Sequence, residues 1–182
     1  MANAIQCFEV REVIHFGSSN LQNKYYLEDQ EIEVTDSEKD LGVIIQQNLD
    51  SDRQVANVTM KANRVLGMIA RTSENKQTHN ILRLYKTLVR PHLEYAVQVW
   101  RPHKQKHINL IESVQRRTTK IIQGMRTLDY KERLEQCKLV SLEMRRRRAD
   151  LIEMFKIMKG HDQLEAEDFF ELSTSKRTRG TH

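Results

Sequence analysis

Asp36, Glu38 and Asp40 are the first residues in this chain whose type and spacing suit metal chemistry. Alternate residues of an extended strand point to one face, so three carboxylates there would offer oxygen ligands to a divalent cation. Nothing near them adds a ligand of another type, and a solvated acidic edge accounts for the same pattern. His103 and His107 stand four apart, the spacing that puts two imidazoles on one helical turn, but a tetrahedral zinc site needs a third ligand. The sequence has no adjacent aspartates, Gly-rich phosphate loop, His-Glu-x-x-His pair or Gly-x-Ser-x-Gly elbow. Two-metal phosphoryl transfer requires paired carboxylates. The expectation is a chain without a complete active site and without a metal or cofactor of its own.

The basic residues carry more information. Residues 1–50 hold 3 Lys/Arg against 10 Asp/Glu, a net −7. Residues 51–160 hold 24 against 10, a net +14, and residues 161–182 hold 3 against 5, a net −2. A basic block of this kind concentrates polyanions, and nucleic acid is the commonest inside cells. Arg116, Arg117 and Lys120 fall on the side of their helix away from Ile111, Val114 and Ile121. Arg145, Arg146, Arg147 and Arg148 form an unbroken run. Four consecutive residues cover every side of a helix, so at least one must face the core or pair with an acid, with Glu112 and Glu143 as candidate partners. A plain charged surface, a nuclear-import patch and a surface that tracks phosphates by shape all fit such a run.

The elements that position these residues divide near residue 50. Residues 8–16 alternate as a strand does, Gly17 to Asn20 reads as a turn, and 25–28 with 31–35 reads as a hairpin around Asp29-Gln30. Residues 39–46 read as one buried strand in which Gly42 marks a bulge or a close backbone approach. Beyond residue 51 the apolar period becomes helical. Ser51 to Gln54 suits a capping box, and Val55, Val58, Ala62, Val65 and Ile69 stripe a helix over 52–72. A long element from Thr78 to Trp100 follows, expected to kink or break near Arg90 because Pro91 lacks an amide hydrogen, with Trp100 at a core boundary. A third helix spans about Gln105 to Gln123 and ends at Gly124. A short helix opens at Asp129 and runs to about Cys137. The last begins at Ser141, with Leu142, Ala149, Ile152, Phe155 and Ile157 inward, and ends at Gly160. Residues 173–182 read as a frayed tail. Cys7 and Cys137 form no metal or redox spacing and suit a reducing compartment. No apolar run approaches the roughly 20 residues of a membrane span, and no secretory signal opens the chain. The expected location is intracellular, nucleus or cytoplasm.

Nine blocks in order carry a family resemblance. They are V-I-H-F-G at 13–17, K-Y-Y-L at 24–27, E-K-D-L-G-V-I-I at 38–45, K-A-N-R-V-L-G-M-I-A-R at 61–71 and L-V-R-P-H-L-E-Y-A-V-Q-V-W at 88–100. V-Q-R-R-T-T-K-I-I-Q-G at 114–124, Y-K-E-R-L at 130–134, R-R-R-R-A-D-L-I-E-M-F-K-I-M-K-G at 145–160 and F-F-E-L-S-T-S-K-R-T-R-G at 169–180 complete them. The series resembles the C-terminal third of the reverse transcriptase of non-LTR, LINE-type (jockey-like) retrotransposons, an RNA-directed DNA polymerase. Met1 to about Glu12 departs from the pattern.

The resemblance implies a partial palm β-meander over residues 1–50, a helical thumb-like region over 51–160 and a tail over 161–182. Such a region grips RNA or RNA–DNA duplex without reading sequence. Arg64, Arg71, Arg116, Arg117, Lys120 and Arg145 to Arg148 would be the contacts, and Asp40, Leu41 and Gly42 would support the primer end. The catalytic aspartates and the magnesium they bind belong to parts of the family not matched here. The chain alone is therefore expected to be inactive, with missing polymerase domains as partners. Two other readings use the same residues: a helical protein-interaction module and a non-functional translated remnant. In the first reading Arg116, Arg117 and Arg146 or Arg147 share one concave surface. In the module they scatter or pair with Glu112, Glu132 and Glu143. The fold class expected is mainly α with a small N-terminal antiparallel β-meander.

Overall fold

A computed structural model describes residues 12–17, 20–161 and 164–170. The first part of the 8–16 strand, Cys7 and the 173–182 tail lie outside the described residues. The fold is mainly helical, with a small open β region at its N-terminal end.

Three short pairings make up that region. β1 (Glu12–Val13) pairs in parallel with β4 (Glu33–Val34), while β2 (Tyr26–Leu27) and β3 (Gln30–Glu31) are antiparallel. β5 (Ser37–Asp40) and β6 (Val43–Gln46) are antiparallel in the register Asp40 to Val43 and Ser37 to Gln46. The sequence suggested turns at Asp29-Gln30 and a single strand over 39–46. The β2–β3 turn instead takes Glu28 and Asp29, with Glu28 at φ 54°. Leu41 and Gly42 form the β5–β6 turn, at φ 44° and 89°. Two-residue hairpins favour left-handed backbone because it matches strand twist, so Gly42 serves a turn rather than a bulge. Leucine is a poor residue for that geometry. The Tyr95 hydroxyl donates to the Leu41 carbonyl at 2.9 Å and holds it there.

The helical body begins with α1 (Asp52–Thr72). The Ser51 side chain makes no capping bond among the described residues, and the expected capping box does not form. Gln46 takes its place, and Gln54 returns a bond to the strand. Gln46 Oε1 of β6 accepts the Arg53 amide at 3.0 Å, and Gln54 Oε1 of α1 accepts the Ile44 amide at 3.0 Å. Strand and helix thus satisfy each other's unpaired amides, which would be costly to bury alone.

α2 (Thr78–Leu84) runs through a π-helical turn (Tyr85–Val89) into α3 (Arg90–Glu94). The Arg90 amide donates to the Tyr85 carbonyl, five residues back. The widened turn carries the helix past Pro91, whose ring would crowd the carbonyl of Thr87 in a regular turn. The break expected near Arg90 falls instead at Tyr95 and Ala96, where Tyr95 is extended and Ala96 has φ 49°. α4 (Val97–Trp100) follows, and Trp100 Nε1 donates to the Tyr95 carbonyl at 2.8 Å across the break. Tyr85, Val89, Leu93, Val97 and Trp100 all reach the core.

α5 (Gln105–Ile121), α6 (Tyr130–Gln136) and α7 (Leu142–Met158) close the body, followed by a 3₁₀ turn at Ala166–Asp168. Asp129 and Glu132 form the capping box of α6, and Ser141 Oγ accepts the Met144 amide at the start of α7. Gly124, at φ 79°, ends the α5 region as expected. The core joins α1, the bent helix, α5 and the start of α7 through Val55, Ala62, Leu66, Ile81, Ile111, Val114 and Leu142. Ile152 and Phe155, expected inward, are exposed on α7. No helix among the described residues is long and apolar enough to cross a membrane.

Candidate nucleic-acid interface

α1 and α5 pack side by side and run parallel. Lys104 pairs with Asp50 just before their first turns, Arg117 Nη1 donates to Asn63 Oδ1 at 2.9 Å midway, and the Gln123 amide donates to the Lys76 carbonyl at 2.9 Å beyond their ends. The inner sides hold Val58, Ala62, Leu66, Ile111, Val114 and Thr118. Helical periodicity then turns Arg64 and Arg71, seven residues apart, to the same outer side of α1. Arg117 and Lys120, three apart, lie outward on α5. All four are exposed, and the Arg117–Asn63 bond crosses the seam between the helices at the surface. The carboxylates within these two helices are Asp52, in the first turn of α1, and Glu112, which is buried. Among the described residues no carboxylate pairs with Arg64, Arg117 or Lys120.

Arg116 leaves this group. Its guanidinium lies over the Tyr130 ring, 4.3 Å from the centroid, with Arg133 also over that ring at 5.5 Å. The Tyr130 hydroxyl donates to Glu112, and burial together with that carboxylate pushes the phenol's pKa far up. Glu112 also accepts the Leu142 amide at 2.9 Å, capping α7, and Gln115 links the Tyr85 hydroxyl at 2.7 Å to the Val140 carbonyl at 3.0 Å. Burial raises the pKa of Tyr85 as well, so it remains a neutral donor. Arg133 is buried, donating to Thr119 Oγ1 at 3.0 Å and to the Leu128 carbonyl. This polar network fastens α5, α6 and α7 to one another. Sequence reasoning did not single out Gln115, Tyr130 or Arg133, because their partners come from other helices.

The arginine run on α7 does not join the seam. Arg145 forms a two-point pair with Glu94 of α3, whose second contact is 3.1 Å. Arg146 is buried, with 4% of its surface exposed. Arg147 pairs with Glu143 at 2.6 Å, as the sequence suggested, and Arg148 is exposed. The expected single surface holding Arg116, Arg117 and Arg146 or Arg147 is therefore not formed. Helix geometry sends the four side chains in four directions, and α3 and α5 occupy two of them.

Asp40, Leu41 and Gly42 form the tip of the β5–β6 hairpin, where Leu41 is 83% exposed. A Cβ on Gly42 would meet Tyr95 Cε1 at 3.7 Å, ordinary contact, so only the positive φ requires glycine. The acidic triplet does not gather into a metal site. Asp36 is taken by Arg53 at 2.6 Å, and that hydrogen-bonded guanidinium lowers its carboxyl pKa. His103 precedes α5 rather than sharing a turn with His107, and His107 is buried, its pKa lowered first by loss of hydration. Among the described residues no three His, Cys, Asp or Glu side chains come together to hold a metal ion. Cys137 is a buried free thiol, its pKa raised by burial. No protein-family model, curated protein or solved structure matches the chain.

Proposed function

We propose that this chain is a thumb-containing fragment of a non-LTR retrotransposon RNA-directed DNA polymerase that binds RNA or RNA–DNA duplex without reading sequence. The observation that supports the reading is the parallel α1–α5 pair, whose outer side presents Arg64, Arg71, Arg117 and Lys120, none of them paired with a carboxylate among the described residues. Lysine and arginine set along a rigid helical layer contact phosphates and fix register on a duplex, but carry no base information. Arg116, held over Tyr130, extends the same charge toward α6. The Leu41–Gly42 tip, held by Tyr95, is the element assigned to supporting a primer end. Polymerization would need paired carboxylates and the magnesium ions they hold, which the family carries in parts not matched by these residues.

Fluorescence anisotropy of a labelled RNA–DNA hybrid tests the reading, with a variant carrying Arg64, Arg71, Arg117 and Lys120 all changed to Ala. Four phosphate contacts predict an affinity that drops about 100-fold between 50 and 200 mM salt. The variant should lose most of that salt dependence along with the affinity. Binding that is weak, insensitive to salt and unchanged in the variant would sink the proposal.

A second reading, the helical protein-interaction module, is favoured by two features: Arg116, Arg117, Arg146 and Arg147 scatter, with Arg147 paired to Glu143, and α7 carries an exposed apolar side. The second half of α7 exposes Leu151, Ile152, Met154, Phe155 and Met158, beside a groove of about 550 Å³. An apolar stripe of this kind suits the side of a partner helix. A remnant without function predicts neither activity. Weak, arginine-independent binding in the hybrid assay would move the weight to these two.

A further inference from the structure

The outer side of α7 combines apolar and basic residues in one repeat. Met144, Leu151 and Met158 recur every seven residues, which aligns them along the helix, and Phe155 stands one turn after Leu151 on the same side. All four are exposed, Leu151 at 62% and Phe155 at 55%. Leu142, Arg146 and Ala149 occupy the opposite side, against the rest of the chain. The exposed row runs for about 21 Å, at roughly 1.5 Å per residue.

The free charge on this side has one sign. Arg148 lies between Met144 and Leu151, and Lys159 one turn beyond Phe155; both are exposed and pair with no carboxylate among the described residues. The carboxylates of α7 are engaged: Glu143 with Arg147 at 2.6 Å, Asp150 with Arg101, and Glu153 with Lys156 at 3.2 Å. A second copy of the chain would bring the same basic side against itself. Residues 171–182 hold three Lys/Arg against one Glu, and Leu172 is their one large apolar residue, so they match neither the charge nor the row.

The surface is also concave. Leu151, Met154 and Ile157 line a groove of about 550 Å³ together with Gln98 of α4 and Phe170. A hollow with a cation set inside its apolar row suits a convex cylinder edged with carboxylates. It suits a flat lipid surface poorly, because Arg148 would enter the hydrocarbon with the residues around it. A partner strand would need an open sheet edge, which a helix does not offer.

Resting on the interaction-module reading, we propose that the outer side of α7 docks an acidic amphipathic helix. Its apolar residues, spaced by three, four and seven, meet Leu151, Phe155 and Met158, and its flanking carboxylates meet Arg148 and Lys159.

The test is fluorescence anisotropy of a labelled helical peptide of about 18 residues, with leucine at that spacing and glutamate on both flanks, against the full chain. A second peptide has lysine in place of each flanking glutamate. The expected result is saturable one-to-one binding of the glutamate peptide and at least tenfold weaker binding of the lysine peptide. Leu151→Ser combined with Phe155→Ser, both at exposed positions, should weaken the glutamate peptide at least tenfold with the melting temperature unchanged. Arg148→Glu combined with Lys159→Glu should reverse the preference between the peptides. Changing Arg64, Arg71, Arg117 and Lys120 to Ala should leave peptide affinity as it was. Affinity that follows those four residues instead of α7, or no saturable binding, overturns the proposal. So does self-association of the chain that Leu151→Ser and Phe155→Ser abolish in sedimentation, or α7-dependent binding to phosphatidylserine vesicles without peptide binding. Equal, tight binding of both peptides overturns the acidic partner and leaves the interaction-module reading standing, whereas binding of neither counts against both. Hybrid binding, measured separately, decides the polymerase-fragment reading.

Discussion

α5 and α7 are each seventeen residues long and basic, yet their charges end up in different places. On α5, Arg117 and Lys120 are exposed and pair with no carboxylate among the described residues, and Arg116 rests on an aromatic ring. On α7, Arg145 and Arg147 are paired and Arg146 is buried. α5 has core neighbours on its inner sides and hydrophobic residues to fill them, so its basic residues are left for the outside. α7 has four arginines in succession, so packing had to consume some. A count of positive residues thus measures what a chain could present, and pairing determines what it does present.

The largest test of this contrast is Glu112→Ala. It removes the carboxylate that joins Tyr130, the α7 cap and the field around Arg146, and should cost about 3 kcal/mol in urea unfolding. A cost under 1 kcal/mol would mean α7 is held without this network, and its arginines are then as free as those of α5. Next, Arg145→Ala should cost about 1 kcal/mol by loss of a partly buried pair with Glu94, and leave the salt dependence of hybrid binding unchanged. Arg117→Ala should do the reverse: stability within about 0.5 kcal/mol, and a salt slope smaller by about 1. Equal effects from the two substitutions would erase the distinction.

A pH titration sharpens the α5 side. Burial holds the His107 pKa below its ordinary value in the folded chain. At pH values between the folded and unfolded pKa the unfolded chain binds more protons, so stability contributed by neutral His107 is present above about pH 6.5 and declines as pH falls through that window. His107→Gln should flatten the decline, whereas substitutions among the α7 arginines should leave it in place. The smallest effect is reserved for Arg148→Ala, which should change neither stability, beyond about 0.5 kcal/mol, nor hybrid binding.

Much of this fold is legible in the residues. The stripe from Val55 to Ile69, the stop at Gly124, the Asp129 cap and the Ser141 cap all lie where local chemistry puts them, because each depends on partners within about four residues. What escaped depends on distant partners. Gln46 took over the capping expected of Ser51 because β6 packs on α1, and Pro91 widened a turn instead of ending it because the core holds Tyr85 and Val89 on both sides of the bend. Ile152 and Phe155 fit an inward stripe, but no described element covers them.

By itself the sequence determined that this protein is helical after residue 50, that its middle is basic, and that Arg145 to Arg148 could not all face one way. Composition and the 3.6-residue period decide such matters locally. The parallel course of α1 and α5, the outward placement of Arg64, Arg71, Arg117 and Lys120 on them, and the inward turn of Arg146 came from long-range packing. Those outcomes depend on which helix lies against which, and a residue's charge becomes available or committed only when its neighbours are in place.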